Sequence, residues 1–127
     1  MIDSAASTPK TRILVVEDDS TSLLCLQMML SDEGYLVDTA SDVKSALEIA
    51  AKQVPDLLLT DMQLPDGNGS ELWQGLKKYK PIPAIALSGY NPETILEKSG
   101  IKFSGYLAKP IDFEKLFILI REVIQVK

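Results

Sequence analysis

Three carboxylates stand where apolar segments of this 127-residue chain end: Glu17 and Asp18 after Arg12-Ile13-Leu14-Val15-Val16, and Asp61 after Asp56-Leu57-Leu58-Leu59-Thr60. Two strand-length runs that both close on acids are the pattern of a site at the carboxyl edge of a parallel sheet. Carboxylates gathered at such an edge repel one another, and a cation relieves the repulsion. All-oxygen donors suit a hard divalent ion, most simply Mg²⁺, with Mn²⁺ as the alternative. Two further apolar runs end at Ser88 and Lys109, which would bring a hydroxyl and an ammonium to the same rim. A metal-binding acid cluster, one carboxylate left to attack phosphorus and two groups able to bind phosphoryl oxygens together describe phosphoryl transfer.

The elements that must position these groups alternate along the chain. Five apolar runs of strand length are each followed by a segment of helical period, which argues for a parallel sheet covered on both faces. The first strand is expected over Arg12 to Glu17, followed by a helix capped by Ser20 with Leu23, Leu26 and Leu30 on one face and Gly34 at its end. The second strand, Tyr35 to Ala40, precedes a helix capped by Ser41 or Asp42, whose Val43, Ala46, Leu47 and Ala50 form a buried stripe. The third strand returns from Pro55 to Asp61, and the turn-rich stretch Met62 to Gly69 leads into a helix with Leu72, Leu76 and Tyr79 inward. Pro81 and Pro83 flank the start of a fourth strand that ends at Leu87-Ser88, and Asn91-Pro92 opens a short helix running to about Ser99. The fifth strand covers Phe103 to Ala108, and the last helix, from about Asp112, turns Phe113, Leu116, Phe117, Ile120 and Ile124 inward.

Bulk properties narrow the function. The chain fits one compact domain over residues 12–127, preceded by a polar, flexible lead-in or linker over residues 1–11. A net charge of −5 without a basic cluster argues against direct nucleic-acid binding. No apolar stretch reaches membrane-spanning length, the start of the chain lacks the build of a signal peptide, and one cysteine cannot form an internal disulfide. A cytoplasmic setting without membrane insertion is therefore expected. The absence of histidine excludes histidine triads, histidine metal ligands and a phosphohistidine on this chain.

The sequence resembles the receiver domain of two-component response regulators over nearly its whole length, Arg12 to Val126. The residues that carry the resemblance are Val15-Val16-Glu17-Asp18, Asp61 with Leu64-Pro65-Asp66-Gly67, Ala86-Leu87-Ser88-Gly89, and Gly105-Tyr106-Leu107-Ala108-Lys109-Pro110, in family order and at about family spacing. The stretch Pro83 to Tyr90 is similar to receivers of hybrid histidine kinases. The resemblance implies a (βα)5 flavodoxin-like α/β fold, doubly wound, with a five-stranded parallel sheet in the order 2-1-3-4-5 and helices on both faces. It implies that Asp61 accepts a phosphoryl group from a phosphohistidine on a histidine kinase or a histidine phosphotransfer domain. Glu17, Asp18, Asp61 and the backbone carbonyl of Gln63 would hold Mg²⁺, while Ser88 and Lys109 would bind phosphoryl oxygens. Ser88 and Tyr106 would form a switch acting on the face of the fourth helix, fifth strand and fifth helix, where a downstream effector or a second copy would dock. Pro110 would follow a cis peptide bond, and Gln63 and Tyr90 would tune access of water to the aspartyl phosphate.

Plainer readings exist for each residue taken singly. Glu17 and Asp18 could be a solvated strand end, Asp61 a turn residue, Lys109 a surface lysine, Ser88 a structural hydroxyl and Tyr106 a half-buried aromatic. Cys25, inside an apolar helix, reads as core, and Trp73, beside the Leu72 and Leu76 face, reads as packing. The Glu and Lys residues between 93 and 102 read as a solvated face. Two other functions compete: a receiver-like interaction module that signals without phosphorylation, and an enzyme on a similar sheet. The segment Glu17-Asp18-Asp19-Ser20 lacks the glycines of a nucleotide-binding loop, and Gln63 stands where an aspartyl-nucleophile phosphatase usually has a second Asp. The expected protein is thus a signalling phosphoacceptor rather than an enzyme with a separate substrate.

Overall fold

A computed structural model describes residues 10–89 and 91–125. Five strands form one parallel sheet: β1 Arg12–Val16, β2 Leu36–Ala40, β3 Leu57–Asp61, β4 Ala84–Ser88 and β5 Gly105–Ala108, in the spatial order β2-β1-β3-β4-β5. Five helices alternate with them: α1 Ser20–Asp32, α2 Val43–Lys52, α3 Gly69–Leu76, α4 Pro92–Ser99 and α5 Phe113–Gln125. A two-stranded antiparallel ribbon, Gln63–Leu64 with Gly67–Asn68, fills the turn between β3 and α3. This is the flavodoxin-like α/β arrangement that the alternation and the resemblance imply. No helix among the described residues is long and apolar enough to cross a membrane.

Strand periodicity divides the core into two layers. Leu14, Val16, Leu58, Ala84 and Ala86 face one side, where Ala46 and Ala50 of α2, Leu72, Trp73 and Leu76 of α3 and Ile95 of α4 cover them. Ile13, Val15, Leu57, Leu59, Ile85 and Leu87 face the other, under Leu26 and Leu30 of α1 and Leu116, Ile120 and Val123 of α5. Burial on both faces is why the three central strands read as continuous apolar runs rather than alternating ones.

Local chemistry sets the helix ends. The α1 cap is Asp19 rather than Ser20: its carboxylate accepts from the Ser22 N–H at 2.9 Å and from the Ser22 hydroxyl at 2.7 Å. These bonds hold the Asp19 carboxyl below the usual range. Asp42 caps α2 through Ser45 and is lowered for the same reason. Asn68 and Glu71 form a reciprocal capping box at α3, while Asn91 caps α4 with Pro92 following it. Gly100, at φ +71°, closes α4 by donating to the Leu96 carbonyl at 2.7 Å.

Two side chains depart from the expected helical phase. Cys25 is exposed, because the stripe that packs is Leu26 and Leu30, and Cys25 lies beside it with Leu24 and Met28 on the outer face. Tyr79 is 53% exposed, because α3 ends at Leu76 and the chain leaves helical phase before reaching it. Trp73 packs as expected: its indole N–H donates to the Ile82 carbonyl at 2.8 Å and its ring stacks on Phe103 at 4.9 Å. Glu93, Glu97, Lys98 and Lys102 lie on the surface.

Candidate functional site

Sheet register brings the chemical groups together. Val16 of β1 pairs with Thr60 of β3, so the next residues, Glu17 and Asp61, stand at one level of the sheet edge. Asp61 in turn pairs with Leu87, and Ser88 pairs with Ala108, which places Ser88 and Lys109 along the same rim. The Lys109 N–H donates to the Ser88 carbonyl at 3.0 Å, so the ladder continues to the residue that carries the ammonium.

One cleft is lined by Asp18, Asp61, Met62, Gln63, Ser88, Gly89 and Lys109. Lys109 Nζ donates to Asp61 Oδ2 at 2.8 Å and to Glu17 Oε1 at 3.0 Å. Glu17, only 2% exposed, is a charge that burial alone would not tolerate, and the ammonium compensates it. Its second oxygen accepts from the Asp19 N–H at 3.2 Å. Burial works to lower the pKa of Lys109, but the hydrogen bonds it donates to Asp61 and Glu17, together with their charges, outweigh it, so the net shift is upward. Asp61 Oδ1 accepts from the Met62 N–H at 3.0 Å.

The carboxylates of Glu17, Asp18 and Asp61 offer oxygens that lie within 4.8 Å of one another. Against three such charges the cleft sets, among the described residues, one ammonium, which leaves an excess of negative charge held by oxygen donors. That donor set fits a hard divalent cation such as Mg²⁺.

The remaining expected residues fall as follows. Gln63 is exposed at the start of the ribbon, two residues after Asp61, and lines the same cleft. Tyr106 is half-buried; its hydroxyl accepts from the Phe103 N–H at 2.9 Å, and its ring meets Phe103 edge-on at 6.1 Å. The Lys109–Pro110 peptide bond is cis. Tyr90 lies outside the described residues.

Sequence reasoning gave no role to two residues that hold the β3–α3 turn beside the cleft. A Cβ at Gly69 would come within 2.7 Å of the Asp61 carbonyl oxygen, and the Gly69 N–H donates to the Met62 carbonyl at 3.0 Å. Only a residue without a side chain lets α3 start this close to the end of β3. Its signal was a glycine at the first position of a helix whose cap precedes it. The second is Asp66, whose carboxylate accepts from the N–H groups of Val43 at 2.7 Å and Lys44 at 3.0 Å. It ties the ribbon to the start of α2, and no local pattern announces a cap more than twenty residues away.

The model of the response regulator receiver domain matches residues 13–121. An uncharacterized 14.6 kDa protein of Leptolyngbya boryana is 38% identical over 116 residues, covering 87% of each chain. The response regulator ArlR of Staphylococcus aureus is 31% identical over 117 residues, covering 91% of this chain but 53% of its own length. The present chain thus spans about half of that regulator. Among solved structures, the chemotaxis response regulator CheY4 of Vibrio cholerae has a TM-score of 0.82 at 28% identity, covering 91% of this chain and 99% of its own. A CheY-like receiver domain protein of Methanospirillum hungatei has a TM-score of 0.81 at 29% identity, covering 92% and 95%. The fold, the rim built from its strand ends and the match over most of the chain agree, and the chain belongs to the response regulator receiver domain family.

Proposed function

We propose that this chain is a phosphoacceptor receiver of a two-component phosphorelay and that Asp61 takes a phosphoryl group from a phosphohistidine on a histidine kinase or a histidine phosphotransfer domain. The observation that carries the reading is Lys109 bridging Asp61 and Glu17 at 2.8 and 3.0 Å, in a cleft that Asp18 and Ser88 also line. In the transfer, a carboxylate oxygen of Asp61 attacks phosphorus in line while the P–N bond to the donor imidazole breaks. Little covalent chemistry is asked of the protein, so positioning and charge neutralisation supply the rate.

Each residue then has a task. Lys109 exchanges its bond to the Asp61 carboxylate for one to a phosphoryl oxygen, and the Ser88 hydroxyl donates to another. Glu17, Asp18, Asp61 and the Gln63 carbonyl are the residues that would hold Mg²⁺, which supplies neutralisation of charge on the phosphoryl oxygens. Displacement of Ser88 toward the phosphoryl group and rotation of Tyr106 behind it would report the charge on the face of α4, β5 and α5, for an effector or a second copy to read. Gln63 and Tyr90 would set how fast water reaches the aspartyl phosphate. The module would extend over residues 12–127 and work in the cytoplasm, with residues 1–11 as a lead-in.

Intact-mass spectrometry after incubation with acetyl phosphate and Mg²⁺ tests the reading. One hydroxylamine-sensitive phosphate is expected, lost in Asp61→Asn and in a chelated sample. Uptake by Asp61→Asn at the wild-type rate would sink the assignment. A folded wild type that takes no phosphate from acetyl phosphate or from a phosphohistidine donor, and whose melting temperature ignores Mg²⁺, would favour an interaction module that signals without phosphorylation.

A further inference from the structure

Beside the phosphoacceptor cleft lies a second one of about 160 Å³, between the turn after β3 and α4. Met62 and Ile95 give it apolar walls, with Gln63, Asn68, Ser70, Lys98 and Ser99 around them, and Lys98 is already engaged within the chain. Ser70 is 5% exposed, and its hydroxyl oxygen is buried without a hydrogen-bond partner among the described residues. Neighbouring polar groups behave differently: the Ser99 hydroxyl donates to the Ile95 carbonyl at 2.7 Å, and Asn68 is committed to its capping box with Glu71. Folding disfavours a buried hydroxyl left unpaired, so an orphan in a cleft wall points to a partner from outside the chain.

The size and lining say what kind. A volume of roughly 150 Å³ is enough for one benzene molecule, so by volume the cleft admits a single ring. The Met62 thioether makes a favourable wall for an aromatic guest. A ring bearing one neutral hydrogen-bonding group would satisfy Ser70 at the same time. Coupling to the reacting carboxylate is short, because Met62 and Gln63 line both clefts and the Met62 N–H donates to Asp61 Oδ1 at 3.0 Å.

We propose that the cleft walled by Met62, Ser70 and Ile95 binds a small neutral aromatic molecule with one hydrogen-bonding group, and that its occupancy alters phosphorylation of Asp61 through Met62. The binding half stands on the cleft alone, whereas the regulatory half rests on the function proposed above.

The test titrates the full chain with phenol, using toluene as a ring of similar size without the hydroxyl, and follows backbone amides by NMR. Saturable shifts at Met62, Gln63, Ser70, Ile95 and Ser99 are expected, with phenol about fivefold tighter, the factor of one net hydrogen bond. Ser70→Ala should remove that preference without lowering the melting temperature, since it deletes an unpaired hydroxyl rather than a structural bond. Absence of saturable shifts overturns the site. So does a Ser70→Ala protein that melts lower and still prefers phenol, which would mean that the hydroxyl serves the fold, with a bound water as its partner. In the second arm, saturating phenol should change the rate of phosphate uptake from acetyl phosphate at least twofold in the wild type. An unchanged rate with the cleft filled overturns the coupling. Failure of uptake with and without phenol would instead fault the phosphoacceptor reading, leaving the binding half to the titration.

Discussion

Helices α3 and α4 are each eight residues long, are each capped by an asparagine and lie on the same face of the sheet. Yet α3 buries Gly69, Ser70, Leu72, Trp73 and Leu76, whereas α4 buries Ile95 alone. The ribbon before α3 is held as well, through Asp66 to α2 and Gly69 to Met62. The difference teaches which wall of the rim is fixed and which is lightly held. Elements that move in switching are drawn from the less stable parts of a fold, and α4 has the fewer apolar contacts to lose. That agrees with the proposed output face of α4, β5 and α5.

Truncation should expose the contrast most strongly. Trp73→Ala removes the stack on Phe103 and the bond to Ile82, so a loss of about 4 kcal/mol in denaturant unfolding is expected. Ile95→Ala should cost about 2 kcal/mol, because a lightly held helix can settle into the space. Equal losses would remove the distinction between the two walls.

The glycines sharpen it next. Gly69→Ala drives a Cβ against the Asp61 carbonyl oxygen, which should cost about 2 kcal/mol and slow phosphate uptake together. Gly100→Ala meets no neighbouring atom but must hold φ +71°, at about 1 kcal/mol, and should leave uptake alone. A Gly69→Ala protein with unaltered uptake would show that the β3–α3 turn does not position Asp61.

Smaller effects are expected at the caps. Asn68→Ala and Asn91→Ala should each remove about 1 kcal/mol of helix stability. Hydrogen exchange should place the first loss in global unfolding and the second in local opening of α4. The smallest effect is expected at Lys109, on the rim itself. Its folded-state pKa is raised, so the stability it contributes is present below the unfolded value of 10.5 and is lost as pH rises through the folded one. Melting temperature should therefore fall more steeply above pH 10.5 in the wild type than in Lys109→Met; matching slopes would remove Lys109 from the balance of the rim.

Much of this was legible in the chain. Buried strands had to be largely apolar, so Ile13 to Val16 and Leu57 to Thr60 announced themselves, and acids closing such runs announced the edge where Glu17, Asp18 and Asp61 gather. Helix stripes were read correctly where a helix continued, as in Ala46 and Ala50, and wrongly where it stopped, as at Tyr79. Cys25 was misplaced because the leucines on either side of it define two candidate stripes, and only packing against α5 and the sheet chooses between them.

By itself the sequence determined the alternation of elements, the acids and the lysine that meet at the rim, and the family, because periodicity and residue type are local properties. Tertiary structure alone decided that Lys109 spans 92 residues to bond Glu17 and 48 to bond Asp61, that Asp66 caps a helix from another loop, and that Ser70 keeps a hydroxyl unpaired among the described residues at the edge of a cleft. Those facts depend on which strands lie side by side and in what register, and register is fixed only when two apolar faces are buried together.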